Sequence, residues 1–261
     1  NLKTMESYND FLSILQRHDD RPSVLYKYRK WDKENNKDLL RTGMIVFSRP
    51  DSFEDLFDCH LPEIYPRGIE LLNYYMKDSS EKNKHFTERQ HFKYAMYWCL
   101  HSPMRDSSQT NLIDEYFWTR FNEEHGILCL CKTADINEMW EKYANQSKGY
   151  CVGFDAQKLS SQFFGHEVIY CPGIPTIDFV KDPDDLKIIK EIFYKSNWWA
   201  FEKEYRYFKR GHGTMLTDED RLVDIANFIR EVHLGKNMSL EDRNEIKEIV
   251  AKKYYGVDII E

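Results

Sequence analysis

The six cysteines, Cys59, Cys99, Cys129, Cys131, Cys151 and Cys171, form no C-x-x-C pair. Most sit inside apolar runs such as Tyr-Trp-Cys-Leu and Leu-Cys-Leu-Cys. That placement suits buried free thiols in a reducing compartment, and the spacing matches no zinc-site pattern. No apolar run approaches the ~20 residues needed to cross a bilayer. The opening NLKTMESYND lacks the apolar core of a signal peptide, so the expectation is a soluble, cytoplasmic chain that engages no membrane. Neither G-x-G-x-x-G nor G-x-x-x-x-G-K-[ST] occurs, which removes the markers of Rossmann and P-loop nucleotide sites. None of the nine His belongs to a recognisable Ser or Cys nucleophile motif, so a serine or cysteine hydrolase has no support. Internal repeats and low-complexity segments are lacking as well.

What is present reads as a globular chain. Of 261 residues, 41% are hydrophobic and 15% aromatic, with 17 Tyr, 16 Phe and 6 Trp. That length fits one α+β domain over 1–261 with a core of useful size. Lys+Arg total 37 and Asp+Glu 44, a formal net charge of −7. A mildly acidic chain is not a general nucleic-acid binder by charge, and a local basic groove stays open.

Hydrophobic spacing predicts a helix over 6–18, with Tyr8, Phe11, Leu12 and Leu15 as its stripe. A strand over 24–31 follows, its Lys27 and Arg29 alternating with Tyr26 and Tyr28. A short helix over 35–41 and a strand over 44–48 come next. Residues 67–124 read as a helical insert: two helices within 68–101 split by KDSSEKNK, a loop over 102–111, and a helix over 112–122. Strands are expected at 125–132, 149–155, 166–171, 201–210 and 230–235. Asp135 and Glu138 suggest a capping box for the helix carrying Ile136, Met139, Trp140 and Tyr143. Further helices span 182–196 and 239–254, the latter capped by Ser239, and VDII closes the chain. Strands and helices mix without βαβ alternation, which predicts an α+β fold around a mostly antiparallel sheet.

The stretch WAFEKEYR, 199–206, carries the strongest chemical signal. On a strand, Glu202, Glu204 and Arg206 share one face, about 6.6–6.8 Å between neighbours. Two carboxylates so spaced can grip one sugar, stabilising an oxocarbenium-like state and activating an acceptor. Arg206 would keep both acids ionised or clamp a phosphate. The bland alternative is a solvated charge ladder. Lys27 and Arg29 can hold a diphosphate, Arg29 bidentately, or can simply keep an edge strand soluble. Asp51, Glu54, Asp55 and Asp58 can bind a divalent metal, although their spacing misses the calcium-loop pattern and favours a turn. Trp140 and Tyr143 fit a core position or an aromatic platform.

Several phrases together resemble a bacterial family catalogued as domain of unknown function 2971. They are Leu25–Tyr28 (L-Y-K-Y), FEDLFDC at 53–59, Met139–Ala144 followed by Gly149 to Asp155, Val168–Tyr170, Trp199–Arg206 (W-x-x-E-x-E-x-R) and Leu234-Gly235. Two positions depart from the family phrase F-N-D-P-F-D-C: Glu54 stands for Asn and Leu56 for Pro. A more distant similarity is to ADP-ribosyltransferases, which order a strand-one Arg or His, a central Ser or Tyr and a late E-x-E. Lys27 or Arg29, Ser48 and Glu202-x-Glu204 follow that order. The resemblance implies NAD as substrate without a metal, with Lys27 or Arg29 at the diphosphate or ribose and Ser48 on the nicotinamide side. Glu204 would stabilise the oxocarbenium, Glu202 would orient an acceptor, and Trp140 or Tyr143 would stack on a ring. An ADP-ribosyltransferase or NAD glycohydrolase, as a toxin or phage-defence effector, is thus one expectation. The others are a non-catalytic module sensing a nucleotide or protein, and a metal-dependent nuclease. The acceptor, protein or nucleic acid, stays open.

Overall fold

The computed structural model describes residues 21–32, 34–211 and 213–261; the helix expected over 6–18 lies outside them. Thirteen strands are described: β1 Val24–Arg29, β2 Met44–Val46, β3 Glu63–Ile64, β4 His125–Cys131, β5 Tyr150–Asp155, β6 Phe164–Glu167, β7 Ile169–Cys171, β8 Ile177–Asp178, β9 Tyr194–Ser196, β10 Glu204–Arg210, β11 Leu222–Asp224, β12 Ile229–Leu234 and β13 Asp258–Ile260. Seven of them form the main sheet in the order β13-β12-β5-β1-β4-β10-β6. Every neighbouring pair in it is antiparallel except β12 and β13. The fold is α+β around a mostly antiparallel sheet.

Helices cover both faces of this sheet, which explains why HGILCLC and YCVGFD read as continuous apolar runs rather than alternating ones. On one face, Leu25, Leu128, Leu130, Val152, Phe154, Tyr205, Tyr207 and Val232 pack against Leu39 and Leu40 of α1 (Glu34–Thr42). The helix Leu240–Lys253 adds Ile246 and Val250 to the same core. Each large side chain fully withdrawn from water there contributes about 1.5–3 kcal/mol. Ser239 caps that last helix as expected, its hydroxyl accepting from the Asp242 N–H. On the opposite face, Tyr28, Cys131 and Cys151 meet Met139 of the helix Asn137–Tyr143 and its C-cap residue Ala144. Ile127 and Phe208 there meet Ile189, Ile192 and Phe193 of the helix Asp184–Phe193.

Between β3 and β4 run α2 (Gly68–Lys82), α3 (Glu88–His101) and α4 (Ser107–Glu124). Leu71, Tyr75 and Ala95 join Tyr65 and Met104 in a small core of their own. The polar KDSSEK continues α2 to Lys82, because Ser79 is buried against the helix and its hydroxyl meets the His91 ring. The expected loop over 102–111 is mostly helical. Ser102 caps a 3-10 turn, and Asp106 caps α4 five residues earlier than the apolar pattern suggested.

Other expectations need correction. Asp135 does not cap the helix Asn137–Tyr143, since Ile136 is the capping residue and lends no side chain. The strand expected over 166–171 breaks at Val168 into β6 and β7, which join different sheets. The helix expected over 182–196 ends at Phe193, where Tyr194–Ser196 pair with β7. The β1 strand is not an edge, because it lies between β5 and β4. Gly149 lets Arg29 pass closely: a Cβ there would sit 2.1 Å from the Arg29 carbonyl oxygen.

Candidate functional site

The sheet opens beside β1. Six residues of β1 pair with β5, but only Tyr26 pairs with β4, through Cys131. Further along β4, Ser48 takes the place of β1: the Ser48 N–H donates to the Ile127 carbonyl and the Ile127 N–H to that of Ser48, both at 2.8 Å. The exchange of neighbours parts β1 from β4. A cleft of about 420 Å³ occupies the gap, lined by Lys27, Arg29, Ser48, Cys129, Tyr143, Glu202 and Glu204 among others. Arg29 and Lys30 furnish cations on one wall, and Phe53 and Trp199 furnish aromatic surface.

Its floor is a buried ion network drawn from four segments. Lys195 of β9 donates from Nζ to Glu202 Oε2 at 2.7 Å and Glu204 Oε2 at 3.2 Å, and lies 3.0 Å from Asp58 Oδ2. Arg206 engages all five of its N–H groups. Nε and Nη2 bond Glu204 Oε1 and Oε2 at 2.8 and 2.9 Å, and Nη2 also bonds Asp58 at 2.9 Å. Nη1 donates to the Ile192 carbonyl and to Cys59 Sγ. Asp58, Lys195, Glu202, Glu204 and Arg206 are all buried. Burial pushes the Glu204 carboxyl up, but the Arg206 and Lys195 charges outweigh it and hold the group well below the usual carboxylate range. Burial likewise pulls Lys195 down, and Glu204, Asp58 and Glu202 more than reverse that. Three carboxylates thus converge on one ammonium, and Lys195 together with Arg206 balances their charge.

Glu202 is not on the strand. It ends a 3-10 turn, Asn197–Glu202, started by the Ser196 hydroxyl. Lys203 then adopts a left-handed conformation, φ 42°, before β10 begins at Glu204. That reversal breaks the period-two spacing, yet both carboxylates still reach Lys195. Tyr143 donates its hydroxyl to Glu202 Oε1, so the free end of the helix Asn137–Tyr143 is tied to the cleft floor.

Of the residues singled out in the sequence, Lys27, Arg29, Ser48, Tyr143, Glu202 and Glu204 line this one cleft. Arg206 lies beneath it at 0% exposure and does not line it. Trp140 also points elsewhere: its Nε1 donates to the Ala134 carbonyl at 2.7 Å, and its ring meets Tyr28 edge-on. The four acids of 51–58 do not bind one common partner, although Glu54, Asp55 and Asp58 line the cleft. Asp51 pairs with Arg49, Glu54 with Lys142, and Asp55 accepts the Phe57 N–H in a turn, leaving Asp58 alone for the network. Among the described residues no group of three or more His, Cys, Asp or Glu is placed to hold a metal ion.

Sequence reasoning missed Lys195 and Trp199 as lining groups. Lys195 had one signal, a cation in the apolar-aromatic run IFYKSNWW, where burial is costly to a charge without partners. Trp199 was part of the W-x-x-E-x-E-x-R phrase. Lys142 covers its ring at 4.0 Å, and Lys195 lies 5.1 Å from the same centroid.

No curated protein and no solved structure matches the chain. The stretch that supplies Tyr143, Lys195, Trp199, Glu202, Glu204 and Arg206 does match a family: residues 139–207 fit the model described as Protein of unknown function (DUF2971).

Proposed function

We propose that the cleft binds a nucleotide of the NAD type and supports transfer or hydrolysis at its glycosidic carbon. The observation that carries this reading is the meeting of Lys27, Arg29, Ser48, Glu202 and Glu204, from three distant segments, around one cleft. A diphosphate finds cations on the β1 wall, and a ribose finds carboxylates on the floor. In the reaction the bond from C1′ to the nicotinamide nitrogen breaks and nicotinamide leaves as a neutral base. The positive charge left on the ribosyl ring faces Glu202 and Glu204. Glu202 accepts the proton of the attacking water or acceptor hydroxyl as the new bond to C1′ forms. Consumption of NAD would suit a toxin or a phage-defence effector.

The experiment is incubation of the purified chain with labelled NAD, alone and with host lysate, comparing wild type with Glu202→Gln. Release of nicotinamide by wild type and its loss in the variant support the reading. No turnover in either arm overturns it.

One observation favours a second reading, a non-catalytic nucleotide-binding module. Both Glu204 oxygens are already engaged by Arg206 and Lys195, as a structural acid would be. That reading expects NAD or ADP-ribose to bind without turnover and Glu202→Gln to leave binding within a few-fold of wild type.

A further inference from the structure

The cleft holds two lysines in opposite circumstances. Lys195 is surrounded by Asp58, Glu202 and Glu204. Lys27 enters through the opening between β1 and β4, where its Nζ donates to the Cys129 carbonyl oxygen at 2.8 Å. Among the described residues it makes no ion pair, and one backbone carbonyl leaves the half-buried ammonium poorly compensated. Lys27 lines the cleft, with Arg29 two residues along the same strand.

We propose that Lys27 is a reactive amine that takes the carbonyl carbon of a phosphorylated aldehyde entering the cleft. This goes beyond the glycosyl-transfer reading and does not depend on it. The neutral amine of Lys27 attacks the carbonyl carbon: a C–N bond forms as the C=O π bond breaks, and one amine proton passes to the oxygen, giving a neutral carbinolamine. The hydroxyl then leaves with the remaining N–H proton as water, and the nitrogen lone pair closes the C=N bond of an imine. Arg29 and Lys30 stand on the wall where a phosphate on the same molecule would settle.

The charge surroundings agree with this geometry. Burial pulls the Lys27 amine down to about 8, and Arg29 on the same strand adds to the fall. Cys129 from β4 and Glu204 and Glu202 from the floor oppose it, without restoring the ordinary lysine value. A desolvated amine without a carboxylate partner is a nucleophile near neutral pH, whereas Lys195 is kept protonated.

The test uses the full chain and pyridoxal 5′-phosphate as the probe. The protein is treated with substoichiometric reagent at several pH values, the imine is reduced with borohydride, and tryptic peptides are mapped by mass spectrometry. The Lys27 peptide is expected to carry roughly tenfold more adduct than exposed lysines at pH 8, because its neutral fraction is far larger there. Its labelling should rise through pH 8, ahead of the ordinary lysine range. Inorganic pyrophosphate should protect Lys27 alone, and Lys27→Arg should remove the adduct. Labelling spread over exposed lysines with Lys27 unmodified in the folded wild type overturns the proposal. Lys27 labelling without NAD turnover would sink the glycosyl-transfer reading and leave this one standing; turnover without labelling would do the reverse.

Discussion

Arg206 lies side-on against Glu204, two residues before it on the same strand, with Nε and Nη2 bonding the two carboxylate oxygens at 2.8 and 2.9 Å. Both groups are buried, and Asp58 and Lys195 close the network around them. Taking one partner from a buried pair leaves an uncompensated charge, which costs about 3–5 kcal/mol. Glu204→Ala and Arg206→Ala are therefore each expected to lower stability by that order, and the double variant by much less than their sum. Urea unfolding of the four proteins measures this. Additive losses would show that the two side chains are not coupled.

Glu202 behaves differently on substitution. A glutamine there keeps one oxygen to accept from Lys195, its NH2 can donate to the Tyr143 hydroxyl oxygen in place of the lost acceptor, and Lys195 retains Asp58 and Glu204. Glu202→Gln should cost only about 1–2 kcal/mol. If the cleft acts on NAD, the same change should remove turnover. A melting temperature near wild type together with unchanged turnover would take Glu202 out of the chemistry.

The network also sets a pH window. The folded Glu204 carboxyl sits below its unfolded value, so its contribution is present above about pH 4.3 and fades as pH falls further. The folded Lys195 ammonium sits above its unfolded value, so its contribution is present below about pH 10.4 and is lost as pH rises beyond that. Unfolding midpoints measured from pH 2.5 to 11 should show both limbs. In a Glu204→Leu, Arg206→Met double variant the acid limb should be shallower; equal slopes would assign acid sensitivity elsewhere.

Glu191 titrates in the opposite sense. Burial pushes its carboxyl up to about 8, while its Oε2 accepts the Leu61 N–H at 3.0 Å. The folded state then holds a proton that the unfolded state releases above about pH 4.3, so stability falls as pH rises from there toward 8. Glu191→Gln removes that penalty. Its stability relative to wild type should improve between pH 5 and pH 8 by on the order of 1–3 kcal/mol. A difference in melting temperature that stays constant over this range would contradict the assignment.

Gly149 offers a test of the sheet geometry next to the cleft. A methyl group at that position would meet the Arg29 carbonyl oxygen at 2.1 Å and the Ala144 carbonyl oxygen at 3.0 Å. Both neighbours are backbone, so neither moves cheaply. Gly149→Ala should destabilise by about 1–3 kcal/mol, as overpacking does. If the cleft takes a nucleotide as proposed, the change should also weaken that binding by displacing Arg29. Retention of both properties would mean that β1 has room to shift.

Local pattern carried much of the architecture. Alternation in VLYKYR and EYRYFKR, and the hydroxyl of Ser239 before an apolar-periodic run, reflect periods of two and 3.6 residues that neighbours in sequence impose on one another. Those periods named the longer strands of the main sheet, the last helix and the mostly antiparallel α+β arrangement. The E-x-E stretch marked the cleft, because buried charge in an aromatic run needs a reason. What the sequence did not contain was distance. The bond from Arg206 to Asp58 spans 148 residues, and the ion pair of Lys195 with Asp58 joins a short strand to a turn. Only long-range pairing could decide that Ser48 displaces β1 beside Ile127 and so opens the sheet. The left-handed Lys203, which takes Glu202 off the strand and still leaves it facing Lys195, was likewise set by the packed structure, since a lysine has no local preference for that conformation.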